Sequence, residues 1–214
     1  MHVLVMAKSP VPGRVKTRLC PPCTPVEAAA LAEAALADTL EAVAACGADR
    51  MVLALDGAPG PWLPPGFTVM AQCGGAFTRR LAHAWSVAGG PGVQIGMDTP
   101  QVTAADIDHA LGTLDTTDAA LGHAADGGWW AIGLRRPQPG VFRGVRMSTA
   151  HTGRSQEARL RDLGLHVTIL PTLVDLDTTA DLPAVVASGA AARTARLAAE
   201  LGLLPVPAAL AAVV

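Results

Sequence analysis

A chain of 214 residues that is 50 % apolar and 16 % charged, with a formal net charge of −2, suits one α/β domain with a full core. That balance excludes intrinsic disorder, and the near-neutral charge argues against general nucleic-acid binding, which needs a strongly basic face. The start, MHVLVMAKSP, lacks the basic segment and long apolar run of a secretion signal, and no uncharged stretch of about 20 residues could span a bilayer. A cytoplasmic protein without membrane or nucleic-acid partners is expected.

The first predicted element is a buried strand, HVLVMA (2–7), a short β-rich apolar run that ends at turn residues. A loop from Lys8 to Cys23 follows it. A helix then starts at a capping box, with Thr24 as N-cap, Pro25 in the first helical position and Glu27 three residues after the cap. Its Ala/Leu run reaches Cys46, and Gly47 can end it. Strands at 51–55 and 67–71 flank a Pro/Gly-rich loop, and a helix spans 77–88. A fourth strand covers 93–98, and Thr103 caps a helix to about Leu114. Strands at 118–124 and 129–134 enclose a tight turn. A helix near 149–163, a strand at 167–171 and a helical tail over about 183–214 complete the pass, with an apolar strand-like end expected after a packed terminal helix.

Alternating strands and helices predict a Rossmann-like, mostly parallel sheet with helices on both faces, forming a single domain over 1–214. Ligands of such sheets sit at the carboxyl ends of strands, beside a switch in strand order. The loops after the strands at 2–7, 93–98 and 167–171 are therefore where function is sought.

The loop after the first strand, AKSPVPGRVKTRL, carries Lys8, Arg14, Lys16 and Arg18, and these include both lysines of the chain. Pro12 and Gly13 bend and stiffen it so that its backbone can approach a ligand. Four cations at this position fit a polyphosphate: each charge-assisted hydrogen bond to phosphate contributes roughly 1.5–3 kcal/mol, and Arg grips two oxygens at once. A solvated basic loop without a ligand is the plainer alternative. A Walker A loop is excluded, because the Gly-Lys-Ser/Thr ending is missing.

Asp98, in GMDTP (96–100), stands at the expected end of the fourth strand, where a lone carboxylate can ligate Mg²⁺ together with substrate phosphates or simply cap a turn. In DLDTTADL (175–182), Asp175 and Asp177 lie two apart, on the same side of an extended chain. Helix capping at Thr178 or Thr179, with Asp181 in the first turn, is the alternative use of that segment. Asp177 gains weight only if it meets Asp98. In DGGWW, Asp126 precedes Gly127 and Gly128, and Trp129 and Trp130 alternate sides, one toward the core and one toward a pocket. The four cysteines form no second Cys-x-x-Cys pair, so Cys20 and Cys23 read as small apolar residues before a helix and not as a zinc site. The histidines are scattered, and His123 is the one near the Asp126 turn.

Taken in order, AKSPVPGRVKTRL, GMDTP, DGGWWAIGL, MST (147–149) and DLDTTADL resemble the bacterial radical-SAM/selenodomain-associated transferases of type 1. That family is similar to the nucleotide-diphospho-sugar transferases and to 2-phospho-lactate guanylyltransferases. The resemblance implies a glycosyltransferase-A-like fold and a magnesium- or manganese-dependent nucleotidyltransferase. Such an enzyme moves a nucleoside monophosphate from a nucleoside triphosphate to a small phosphorylated acceptor and releases pyrophosphate. It further implies that Lys8, Pro12, Gly13, Arg14, Lys16, Thr17, Arg18 and Arg80 hold the nucleotide, with Lys16, Arg18 and Asp98 closest to the chemistry. Asp98 and Asp177 would hold the metal, and Asp126, Gly127, Gly128, Trp130, Ser148 and Thr149 the small-molecule acceptor. GGAFTRR (74–80) departs from the family's usual run at Ala76 and Arg79 and keeps its type at Arg80. Glycosyl transfer from a nucleotide-sugar donor and nucleotide binding without turnover are the alternative readings. A monomer or a homodimer is compatible with the sequence.

Overall fold

A computed structural model describes residues 1–204. Its strands are β1 (His2–Lys8), β2 (Arg50–Asp56), β3 (Phe67–Ala71), β4 (Gly92–Ile95), β5 (Ala119–Ala124), β6 (Trp129–Leu134) and β7 (Val167–Leu173). The helices are α1 (Pro25–Ala45), α2 (Phe77–Ala88), α3 (Ala104–Thr113), α4 (Thr152–Asp162), α5 (Leu182–Val186) and α6 (Ala192–Glu200). The strands form one sheet in the order β3-β2-β1-β4-β6-β5-β7. Only β6 runs against its neighbours, antiparallel to both β4 and β5. This is the mostly parallel α/β sheet expected, with the order switching at β1, between β2 and β4.

The sheet is covered on both faces because β1 alternates. Val3, Val5 and Ala7 pack with Leu36, Leu40 and Val43 of α1 and Ile107 of α3, while Leu4 and Met6 pack with Leu81, Ala84 and Trp85 of α2 and Leu160 of α4. The far side of α1 presents Leu31 and Ala35 to Leu182, Val185, Ala191 and Ala198, so α5 and α6 form a further layer. The α1 capping box forms as expected, with Thr24 Oγ1 accepting from Glu27 N and Glu27 accepting from Thr24 N.

Three boundaries differ from the sequence reading by two residues or more. β4 ends at Ile95 and not at Asp98: Gly96 N makes the last bond across to β6, to the Trp130 carbonyl at 3.3 Å, and the chain then turns toward Pro100. β7 runs through Pro171 to Leu173, which an edge strand tolerates, and its register against β5 shifts there. α4 begins at Thr152 and not near 149, since the Thr152 hydroxyl closes the preceding turn by accepting from Thr149 N at 3.0 Å and donating to the Arg146 carbonyl at 2.9 Å. The strand-like end of the tail falls within 205–214, outside the described residues.

Two buried polar residues yield stability predictions. Asp38, in the apolar helix α1, accepts from Arg193 N (3.1 Å), Thr194 N (2.9 Å) and Thr194 Oγ1 (2.8 Å), capping α6 against α1. Asp38→Ala leaves buried donors unpaired and is expected to cost about 1–3 kcal/mol in urea unfolding. Asp38→Asn, which keeps one acceptor oxygen, should lose less.

His2 is fully buried, edge-on to Trp85 with ring centroids 5.6 Å apart, and neither ring nitrogen has a partner among the described residues. Burial, and then the Arg50 charge, pull its pKa down to about 4. Between the unfolded value near 6.5 and that figure, the unfolded chain takes up a proton that the folded chain refuses. Stability therefore falls as pH drops through this window and levels off below it, by about 3 kcal/mol in full. His2→Phe should remove this contribution, so the stability difference between wild type and variant should move in favour of His2→Phe from pH 7 to pH 4. A pH-independent difference would contradict it.

Candidate active site

The topology brings the three loops of interest to one edge, together with those after β3 and β5. The carboxyl ends of β1, β3, β4, β5 and β7 lie together because these strands are mutually parallel, and reversed β6 starts at the same edge. A cavity of about 740 Å³ opens there, with Lys8, Arg14 and Arg18 on one wall and Asp98, Asp126, Asp175 and Asp177 among its other lining residues.

Asp177 does meet Asp98. The backbone makes the connection: Leu176 N donates to the Asp98 carbonyl at 2.7 Å, and Gln101 Nε2 donates to the Val174 carbonyl at 2.6 Å. The loop after β4 and the segment after β7 are thus laced together. Capping of the following helical turn falls to Thr178 and Asp181, with Asp181 Oδ2 accepting from Thr178 N at 2.6 Å and from Thr178 Oγ1 at 2.9 Å. That leaves the Asp177 carboxylate available to the cavity.

The ammonium of Lys16 sits between the two carboxylates, 2.5 Å from Asp98 Oδ1 and 3.5 Å from Asp177 Oδ1, and it also donates to the Leu176 carbonyl. Its side chain is only 6 % exposed. Burial alone would lower its pKa, but the charges of Asp98, Asp177 and Asp175 outweigh that and hold it above the usual lysine value. Arg18 reaches Asp177 Oδ2 at 3.2 Å from the solvent side. Asp175, beside this cluster, is pushed up to about 8 by burial and by the charges of Asp98, Asp126 and Asp177, with Lys16 opposing them.

Lys8, Arg14, Thr17 and Arg18 are exposed along the cavity wall. Among the described residues, Lys8 and Arg14 have no ion-pair partner. Pro12 and Gly13 do not line the cavity. They form the turn that presents Arg14, closed by Arg14 N donating to the Val11 carbonyl at 3.0 Å, and Gly13 takes φ 76, a conformation open to glycine. Arg80 also lines the cavity, 2.9 Å from Gln72 Oε1 and 3.6 Å from Asp56 Oδ2, with its guanidinium over the Phe77 ring.

On the third side, Asp126 Oδ1 accepts from Gly128 N at 2.7 Å, which shapes the turn between β5 and β6. Gly153 N donates to the Gly127 carbonyl at 2.8 Å and docks this turn on the start of α4. Ser148 and Thr149 line the cavity beside it, Ser148 with a left-handed φ of 59. Trp130, expected toward the acceptor, is 2 % exposed and donates its indole N–H to the Pro171 carbonyl, so it borders the cavity from the core. Trp129 is the more exposed indole and stacks on Phe142.

Several contributors carried no sequence signal. Gln72 donates to the carbonyls of Ala7 and Ala54 at 2.8 and 2.9 Å, bridging β1 and β2 beneath Arg80. Thr99, next to Asp98, is buried at the cavity wall with no partner for its hydroxyl among the described residues. A lone Gln or Thr between strands has no spacing that marks it. All four cysteines are free thiols, and burial pushes that of Cys23 up.

The donors around Lys16 are hard oxygens converging on one cation, which suits Mg²⁺ or Mn²⁺ held by one or two carboxylates plus phosphate oxygens and water. Among the described residues no three or more His, Cys, Asp or Glu side chains form a self-sufficient metal cage. No described helix is long and apolar enough to cross a membrane.

The crystal structure of a candidate nucleotide-diphospho-sugar transferase from Desulfovibrio desulfuricans G20 is similar over 94 % of this chain and 95 % of its own, at 28 % identity and a TM-score of 0.81. The bifunctional IspDF from Campylobacter jejuni shares the fold at 10 % identity and a TM-score of 0.52, over 85 % of this chain and 53 % of its own. No curated protein matches the sequence. The fold is that of the nucleotide-diphospho-sugar transferases. Residues 28–149, more than half of the sequence, match the model of a family described as an uncharacterized protein conserved in bacteria, so the chain belongs to that family, DUF2064.

Proposed function

We propose that this chain is a magnesium- or manganese-dependent nucleotidyltransferase acting on a nucleoside triphosphate and a small phosphorylated acceptor. An acceptor phosphate oxygen attacks the α-phosphorus, the bond from that phosphorus to the bridging oxygen of the β-phosphate breaks, and pyrophosphate leaves with the electron pair. Such a step needs little covalent help, because positioning and charge neutralisation supply most of the acceleration. The observation that carries the reading is the meeting, in one cavity, of three exposed loop cations with a pair of carboxylates that share a cation.

Lys8, Arg14, Thr17, Arg18 and Arg80 would hold the nucleotide, with Pro12 and Gly13 shaping the loop. Asp98 and Asp177 would hold the metal, which when bound neutralises phosphate charge as a Lewis acid. Asp126, Gly127, Gly128, Ser148 and Thr149 would orient the acceptor, backed by Trp130. The resemblance of its motifs to the radical-SAM/selenodomain-associated transferases of type 1 supports this reading.

A second reading, glycosyl transfer from a nucleotide-sugar, draws support from the likeness to the Desulfovibrio protein. The proximity of Asp98 to Asp177 speaks against a binding module without turnover, which would tolerate their separation. The test incubates the protein with each nucleoside triphosphate, Mg²⁺ and a panel of phosphorylated acceptors and follows pyrophosphate. Acceptor-dependent release is expected from at least one triphosphate. Thermal stabilisation by nucleotide-sugars alone, with no pyrophosphate from any triphosphate, would move the assignment to glycosyl transfer.

A further inference from the structure

Lys16 does not stand where a phosphate-gripping lysine is expected. Three of the four loop cations face the cavity as exposed side chains, whereas Lys16 turns inward. Its backbone is left-handed, φ 47 and ψ 37, an uncommon conformation for a residue with a side chain. Its ammonium is held by Asp98 Oδ1 at 2.5 Å, Asp177 Oδ1 at 3.5 Å and the Leu176 carbonyl. The carboxylate oxygens assigned to a metal ion are therefore already engaged by a cation that belongs to the chain.

We infer that the Lys16 ammonium and a divalent ion are alternative occupants of the Asp98–Asp177 pair, so that Lys16 leaves the pair whenever both carboxylates hold the ion. This inference rests on the proposed role of Asp98 and Asp177 as metal ligands. An ammonium in contact with both carboxylates occupies lone pairs that the ion needs and repels it at close range. The displaced ammonium needs a new anionic partner, and Lys16 lies in the same loop as Arg14 and Arg18, where triphosphate oxygens would supply one. Ion and nucleotide then assist each other: phosphates take over the lysine that the ion displaces, and the ion takes over the carboxylates that the lysine vacates. Without nucleotide, Lys16 acts as a plug that weakens metal binding.

The test titrates Mn²⁺ alone into wild type, Lys16→Met and Asp98→Asn, reading free Mn²⁺ by electron paramagnetic resonance. Lys16→Met is expected to bind Mn²⁺ about tenfold more tightly than wild type or better, within the ordinary range of coupling between sites. Asp98→Asn should bind it more weakly than wild type. If Lys16→Met binds no tighter while Asp98→Asn still weakens binding, the metal assignment survives and the exchange is overturned. If neither wild type nor Lys16→Met takes up Mn²⁺, both fall. A second measurement avoids the variants. The chain has two lysines, Lys8 and Lys16, so ¹³C-lysine labelling gives two side-chain ε-methylene signals. Saturating Mg²⁺ should shift the Lys16 signal, and a Lys16 signal unmoved by Mg²⁺ that demonstrably binds would overturn the exchange.

Discussion

Asp98→Ala is expected to reduce pyrophosphate release by about 10²–10³-fold, the scale seen when one preorganised electrostatic contribution to the transition state is removed. The residue matters on two counts. It supplies one of the two carboxylates assigned to the metal, and it holds the Lys16 ammonium at 2.5 Å. Asp98 also anchors the segment after β7, but through its backbone carbonyl, which the substitution leaves in place. Asp98→Asn keeps the shape and removes the charge, so it should lose activity to a similar degree with a smaller change in stability. Thermal melts of both variants separate lost chemistry from lost folding. A folded Asp98→Asn retaining more than about a tenth of the wild-type rate would contradict the assignment.

Gly127→Val is expected to have the largest combined effect on stability and acceptor use. Gly127 has φ 91, where a side chain is strained, and a Cβ there would run into the backbone of Ala150. The conformational part costs about 1–2 kcal/mol. Overpacking against that backbone, in a turn whose Gly127 carbonyl already accepts from Gly153 N of α4, adds about 1–3 kcal/mol. The turn must therefore move, and Asp126, Ser148 and Thr149 move with it. The expected result is a lower melting temperature and a raised KM for the acceptor, with triphosphate affinity little changed because β4 separates the loop after β1 from the β5–β6 turn in the sheet. Equal loss of triphosphate and acceptor binding would contradict the division of the cavity into two sides.

The strands and long helices were legible because their signals are local. The apolar run of β1, the Thr24–Glu27 box and the Thr103 cap each declare themselves within a few residues. Asp98 was legible as a carboxylate after a strand, and Asp177 as one of a spaced pair. Their meeting was not, because it depends on a hydrogen bond between residues 98 and 176, and no local pattern encodes that register. Lys16 shows the same limit: its charge was readable, but its direction follows from a left-handed backbone and from anions far along the chain. Asp38 has no local pattern that sets it apart within α1, and only the docking of α6 gives it three donors. Trp129 and Trp130 were correctly read as facing opposite ways. Which one is buried is set by the Pro171 carbonyl on the edge strand β7.

The central claim is that one cavity holds a nucleoside triphosphate and a divalent ion between the loop after β1 and the pair Asp98 and Asp177. Its most direct test is anomalous diffraction from crystals grown with Mn²⁺ and an α,β-methylene nucleoside triphosphate of the base that supports turnover. The predicted result is a manganese peak bounded by the Asp98 and Asp177 carboxylates, with triphosphate oxygens reaching Lys8, Arg14 and Arg18. Nucleotide bound away from this loop, or manganese bound away from both carboxylates, would contradict the account.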